Sequence, residues 1–240
     1  MDEARRFLRY VTPGGLFLGE TVGLLFLIFP TWVKCTLMEI KGDAGIGLTI
    51  AGLLATGALG FVLATIHHAR FNRLPYSEDI NFRDAVREFV RNHLIVVIDL
   101  AEDREVAPNS IDRVFAFAIV TSLWHQLTAL SPRLNGVDLR AQQLADIAHS
   151  LGTAWVASTL APIVVLTVAV LNSALSLSAE HVARIAGAAI IAGTLSWIFW
   201  MNHSTAARLC RSVVVESLAD ALLDPGLPSH PVRTHVLLAR

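Results

Sequence analysis

Four long apolar runs constrain this chain more than any other feature. They cover roughly residues 16–33, 45–66, 154–174 and 182–201. A helix needs about 20 mostly apolar residues to cross the hydrocarbon of a bilayer. Each run reaches or approaches that length, and acids are nearly absent from all of them. A backbone in hydrocarbon must satisfy its own hydrogen bonds, so such runs are helices. The expected fold class is all-α: a polytopic integral membrane protein of about four transmembrane helices.

Composition agrees. Apolar residues make up 54% of the chain and charged residues 16%, with a mean hydropathy of +0.56. Soluble domains are less apolar and carry more charge. With a net charge of -1 and a pI near 6.8, there is no basic footprint for nucleic acid, and none is expected as a partner. The N-terminal run follows Arg5, Arg6 and Arg9 as a signal peptide would. It ends in Phe29-Pro30-Thr31-Trp32 without a small-x-small cleavage site, which reads as a retained helix.

The charges concentrate in one long segment between the second and third runs. This divides the chain into an N-terminal transmembrane hairpin (1–66), a helical subdomain (67–151), a second hairpin (152–203) and an amphipathic helix with a tail (204–240). Arg5, Arg6, Arg9, Arg70, Arg73, Arg140, Arg208 and Arg211 gather on one side, against Lys34, Lys41 and Arg184 on the other. By the positive-inside rule both termini and the middle segment are cytoplasmic, and the expected location is a bacterial inner membrane. Trp32, Trp155, Trp197 and Trp200 stand near run ends, where interfacial anchors belong.

Within the middle segment, Phe82, Val86, Phe89, His93, Val97 and Leu100 recur at helical spacing, and Arg83, Arg87 and Arg91 line the other side. That predicts one amphipathic helix whose arginines suit lipid headgroups. Residues 101–109 read as a loop, with Asn109 or Ser110 capping the next helix. The stretch 114–130 is apolar nearly all round. It fits a fifth span, a core helix of the subdomain or a helix lying against the membrane. Pro132 to Asp138, centred on Asn135-Gly136, reads as a turn, Gly152 as a bend, and the last residues as a tail.

Three features bear on function. Gly15, Gly19 and Gly23 form a small-xxx-small stripe in the first run, and Gly52 and Gly60 repeat it in the second. In lipid such residues let helix backbones approach closely, within a chain or between copies. Glu20 is the one acid inside a predicted span, which makes it a functional candidate. His67, His68, His149 and His203 all fall at the same side of the membrane, about a turn from Glu20. Imidazole and carboxylate there suit a metal site, a proton relay, a pH sensor or an enzyme site, with Glu20, His68 and His203 the catalytic candidates. Neither Cys35 nor Cys210 has a second cysteine at metal-ligand spacing, so a structural zinc site is not indicated, and no cofactor is expected. The leading expectation is a non-enzymatic membrane protein that self-associates as a homo-oligomer in the lipid bilayer. It would act as a pore or membrane-disrupting effector gated by its cytoplasmic subdomain. The alternatives are an integral membrane enzyme at the histidines and a scaffold or sensor with a cytoplasmic protein partner.

Overall fold

The computed structural model describes residues 7–39, 43–73, 82–130, 132–171, 178–224, 226 and 231–236. Arg5, Arg6, Lys41, Pro225 and Pro228 lie outside them. After a π-helical turn at Phe7–Val11 come α1 (Thr12–Ile28), α2 (Pro30–Glu39) and α3 (Asp43–Arg73). Next come α4 (Arg83–Arg91), β1 (Ile95–Asp99), β2 (Arg104–Glu105), a 3-10 turn at Pro108–Ser110 and α5 (Arg113–Leu130). Two long helices, α6 (Pro132–Leu171) and α7 (Ala179–Leu222), precede β3 (Val232–Val236). The chain divides into two compact units. Unit 1 holds residues 1–70 and 146–204; unit 2 holds 71–145 and 205–240.

Unit 1 is helical. The segments Arg9–Ile28, Gly45–Ala69, Gly136–Ala169 and Ala179–Leu222 are each long and apolar enough to cross a membrane. Their outer faces present Ile46, Leu53, Leu54, Phe61, Ile190 and Trp197, all exposed. Water would penalise such a surface at about 25 cal/mol per Å², whereas lipid tails are as apolar as the side chains themselves. Helix α1 carries Pro13 in its first turn, directly after the π-helical turn. It ends at Phe29, whose backbone leaves the helical region ahead of Pro30. Inside the unit, Leu24 and Ile28 of α1 pack with Ala161 and Val165 of α6 and Ala188 and Ala192 of α7.

Unit 2 adds a three-stranded sheet that the helical reading lacked. Its strand order is β2-β1-β3, with β2 antiparallel and β3 parallel to β1. The predicted helix over 82–100 is corrected here. It stops at Arg91, and His93, expected on its apolar face, is exposed at a φ of 55° in the turn that follows. Ile95 to Ile98 then form an unbroken β-branched run, which favours a strand, and alternate buried and half-buried. Val97 is an inward position of that strand, while Leu100 is exposed in the turn beyond it, so periodicity alone chose wrongly. The expected tail is likewise corrected: Val232–Val236 pairs with β1 from Ile95↔Val232 to Asp99↔Val236.

Helix α5 contributes a buried face to the core of unit 2. Phe115, Ile119, Leu123 and Leu127 are buried at four-residue steps, together with Val86, Phe89, Ile95, Leu218 and Leu222. Its cap is neither Asn109 nor Ser110. Asp112 Oδ1 accepts from the Phe115 amide at 2.8 Å. The expected turn at 132–138 is also helix. Pro132 starts α6, where proline is tolerated, and Asn135-Gly136 lie inside it despite weak helix propensity. Tertiary contacts offset that cost: Leu134 is buried, and Asp138 accepts from Trp124 Nε1 at 2.6 Å and from Gln142 at 2.7 Å. Helix α6 is continuous through Gly152.

If α5 is a core helix, Leu123→Ala leaves a cavity and costs about 2–5 kcal/mol. Chemical denaturation in detergent, followed by Trp124 fluorescence, measures this; a loss below about 1 kcal/mol is incompatible with the buried position.

Candidate functional site

Two glycines bring the backbones of unit 1 together. A Cβ on Gly14 of α1 would lie 1.8 Å from the Thr56 carbonyl oxygen of α3, and one on Gly60 would lie 1.6 Å from the Tyr10 carbonyl oxygen. Neither space admits an atom. Of the predicted stripe, then, only Gly60 carries a close backbone approach. Gly15 makes ordinary contact with the Thr56 methyl, and beyond Gly19, Gly23 and Gly52 nothing among the described residues lies within 4 Å.

This contact orients α3. Thr56, Gly60, Leu63, Ala64 and His67 are its buried positions, spaced as one helical face. His67 is 5% exposed, a depth at which a polar ring needs partners. Its imidazole lies against the backbone of α6 at Gly152, where a Cβ would sit 2.2 Å from the ring. Three more imidazoles join it. His68 of α3 stacks on His149 of α6 with ring centres 4.5 Å apart. His67 lies 5.6 Å from His149 and meets His203 of α7 edge-on at 5.2 Å. His203 Nδ1 donates to the Ala148 carbonyl at 2.8 Å, since a carbonyl can only accept. That fixes the ring and leaves Nε2 as the lone-pair nitrogen of the neutral tautomer. The histidines predicted at one side of the membrane thus come together from three helices, within unit 1.

The carboxylate beside them is Asp146, which was not anticipated, and not Glu20. Asp146 pairs with Arg9, and both charges act electrostatically on His149; Arg9 acts on His68 as well. Asp146 and His149 are three residues apart on α6 and so share a face. An i, i+3 search from each histidine for an acid would have flagged Asp146. Its partner Arg9, more than a hundred residues away, leaves no local signal.

Glu20 lies deeper. Its Oε1 accepts from Ser158 Oγ at 2.5 Å, and its Oε2 is buried without a hydrogen-bond partner among the described residues. Ser158 follows His149 by nine residues, about 13 Å along a helix at about 1.5 Å per residue. The expected adjacency of Glu20 and the imidazoles is therefore corrected. One turn on, Pro162 has no amide to donate to the Ser158 carbonyl. Thr159 Oγ1 and Ser196 Oγ meet at 3.0 Å and tie α6 to α7 at this level.

The three arginines of α4 belong to unit 2. Arg87 Nη2 donates to the carbonyls of Ile111 at 2.8 Å and Asn109 at 3.2 Å, clamping the loop before α5. Arg83 contacts Asp84 at 3.2 Å, and Arg91 is exposed. Cys35 and Cys210 are both free. Among the described residues no three His, Cys, Asp or Glu side chains converge as metal ligands would.

A Gly152→Ala substitution drives the His67 ring from its seat and is expected to cost about 1–3 kcal/mol, as overpacking does. Thermal unfolding in detergent checks this. Adding His67→Ala to Gly152→Ala removes the clash, and the double variant is expected to lose less than the two singles combined. Strict additivity would show that the two groups do not touch.

Comparison with protein-family models, with curated proteins and with solved structures yields no match for this chain.

Proposed function

We propose that this chain is an integral membrane sensor. Its four apolar helices are the membrane part, its histidine cluster is the input, and unit 2 is the output that a cytoplasmic protein partner reads. One observation carries this reading. The chain passes between its two units after residues 70, 145 and 204, and cluster histidines stand within a few residues of every passage. His67 and His68 precede the first, His149 follows the second, and His203 precedes the third. The last two passages fall inside α6 and α7, which are continuous there. A change in ring packing at His149 or His203 therefore acts on a helix whose hydrogen bonds run on into unit 2. The arginine bias puts both termini and unit 2 in the cytoplasm, and the membrane is a bacterial inner membrane.

Hydrogen exchange tests this reading. Replacing His149 and His203 together by Ala is expected to change amide protection in 205–222 of α7 and in β1 or β3, beyond the substituted turns. Changes confined to 195–210 and 142–156 would remove the sensor reading.

A second reading, self-association, is favoured by the open space beyond Gly19 and Gly23. These positions leave the α1 backbone accessible for another helix. Replacing Gly19 by Ile would then weaken the oligomer at least tenfold, about 1.4 kcal/mol. Light scattering in detergent reads this, and an unchanged mass for the variant would count against it.

A further inference from the structure

The sensor reading leaves the input unspecified, and the groups around the cluster narrow it. We propose that the input is the proton: acidification charges His68 and His149 and opens their stack. This rests on the reading of the cluster as the protein's input.

Imidazole is the side chain whose charge ordinarily changes between about pH 5 and 8. The groups that surround His149 come from four elements. Arg9 stands on the turn before α1, His67 and His68 on α3, Asp146 on α6 itself and His203 on α7. Arg9 acts on His68 as well. With every ring neutral the set is balanced, because Arg9 and Asp146 pair and their charges cancel. A proton on a stacked ring breaks that balance. A charge on His149 would have Asp146 in its favour, but Asp146 already holds Arg9, which repels it. A second proton would set like charges on rings whose centres are 4.5 Å apart and whose planes are 26° from parallel.

Water offers the charged rings a better place. His68 is exposed and His149 half-buried, so both reach solvent by rotating. His67 and His203 stay. The first is buried against Gly152, and the second bonds the Ala148 carbonyl at 2.8 Å. They form the fixed wall on which the stacked pair closes, with His67 5.6 Å from His149 and 6.0 Å from His68. The open form therefore accepts protons that the packed form refuses. By linkage its population is lowest above the ordinary imidazole value, about 6.5, and rises as pH falls below it. For each ring kept neutral by packing, the ratio of open to packed rises about tenfold from pH 7.5 to 5.5. His149 stands on α6, which runs on into unit 2, so opening acts on a helix shared with the output.

The test is hydrogen exchange of the full-length protein in detergent at pH 7.5 and 5.5, corrected for the intrinsic pH dependence of amide exchange. The quantity read is the opening of amides 64–69 and 146–156, as a ratio between the two pH values. Each variant is compared with itself, so a change in basal stability cancels. The parent is expected to open about tenfold more at pH 5.5 for each responding ring. Replacing His68 and His149 together by Gln is expected to abolish the response. Replacing the exposed histidines outside the cluster, His93, His125 and His235, by Gln is expected to leave it intact. Two single variants separate charge from packing. Arg9→Gln removes the repelling cation and lets Asp146 hold a charged His149 in the packed form, so the response falls by roughly threefold or more. Asp146→Asn leaves Arg9 uncompensated beside the rings, so the response is kept in full. Loss of the ion pair as such would move both variants alike. A parent response below roughly threefold would overturn the proposal. So would a full response in the double histidine variant, or equal responses in Arg9→Gln and Asp146→Asn. Unit 2 amides in the same experiment separate the two proposals. Acid opening with no change in β1, β3 or 205–222 keeps the proton site and removes the sensor. If acid does not open the cluster, yet the His149 and His203 substitutions still alter unit 2, the proton is removed and the sensor remains.

Discussion

The arrangement of unit 1 depends on a contact with no side chain in it. Gly14 meets the Thr56 carbonyl and Gly60 meets that of Tyr10, so α1 and α3 touch backbone to backbone. Between apolar helices in lipid there is little hydrophobic drive, and close approach with dense dispersion contact takes its place. The contact also sets the rotation of α3 about its axis. One face of α3 is committed from Thr56 through Gly60 to His67, seven residues beyond Gly60 and almost two helical turns on. The burial of His67, and with it the assembly of the imidazole cluster, follows from where these two glycines sit.

Polar groups in unit 1 then find partners at two levels. At the cluster, charge and imidazole are held together by Arg9–Asp146, by ring contacts and by the Ala148 carbonyl. Deeper, Glu20 bonds Ser158, and Thr159 meets Ser196. Burying such groups without partners costs several kcal/mol each in an apolar medium, which is why they meet across helices. Unit 2 packs its elements around one apolar core. It has an amphipathic α4, an α5 buried along one face, and a sheet whose centre strand has a partner on each side.

Much of this was legible in the chain. The four apolar helices, the amphipathic character of α4 and the placing of the histidines at the ends of the apolar runs all came from local pattern. The candidate site was half legible: His67, His68, His149 and His203 were singled out, but Glu20 was paired with them wrongly and Arg9–Asp146 was missed. A hydrophobicity pattern places residues in depth along a span. It says nothing about rotation around the helix axis, and rotation decides which polar groups meet. The glycine spacing was ambiguous for the same reason. Gly15, Gly19, Gly23 and Gly52 share the spacing of close-packing positions, yet the faces that met were those of Gly14 and Gly60.

The amino-acid sequence alone determined which segments are long and apolar enough to cross a membrane, because hydropathy sums over neighbours in the chain. It also showed that the charges gather between the second and third of these runs. Only the tertiary structure decided that 95–99 is a strand, since its parallel partner lies far away at 232–236. It alone decided that 114–130 is a core helix, because burial there is supplied by α4, β1 and α7. And it alone gathered four imidazoles from three helices, because that convergence depends on the non-local fit of Gly14 to Thr56, Gly60 to Tyr10 and His67 to Gly152.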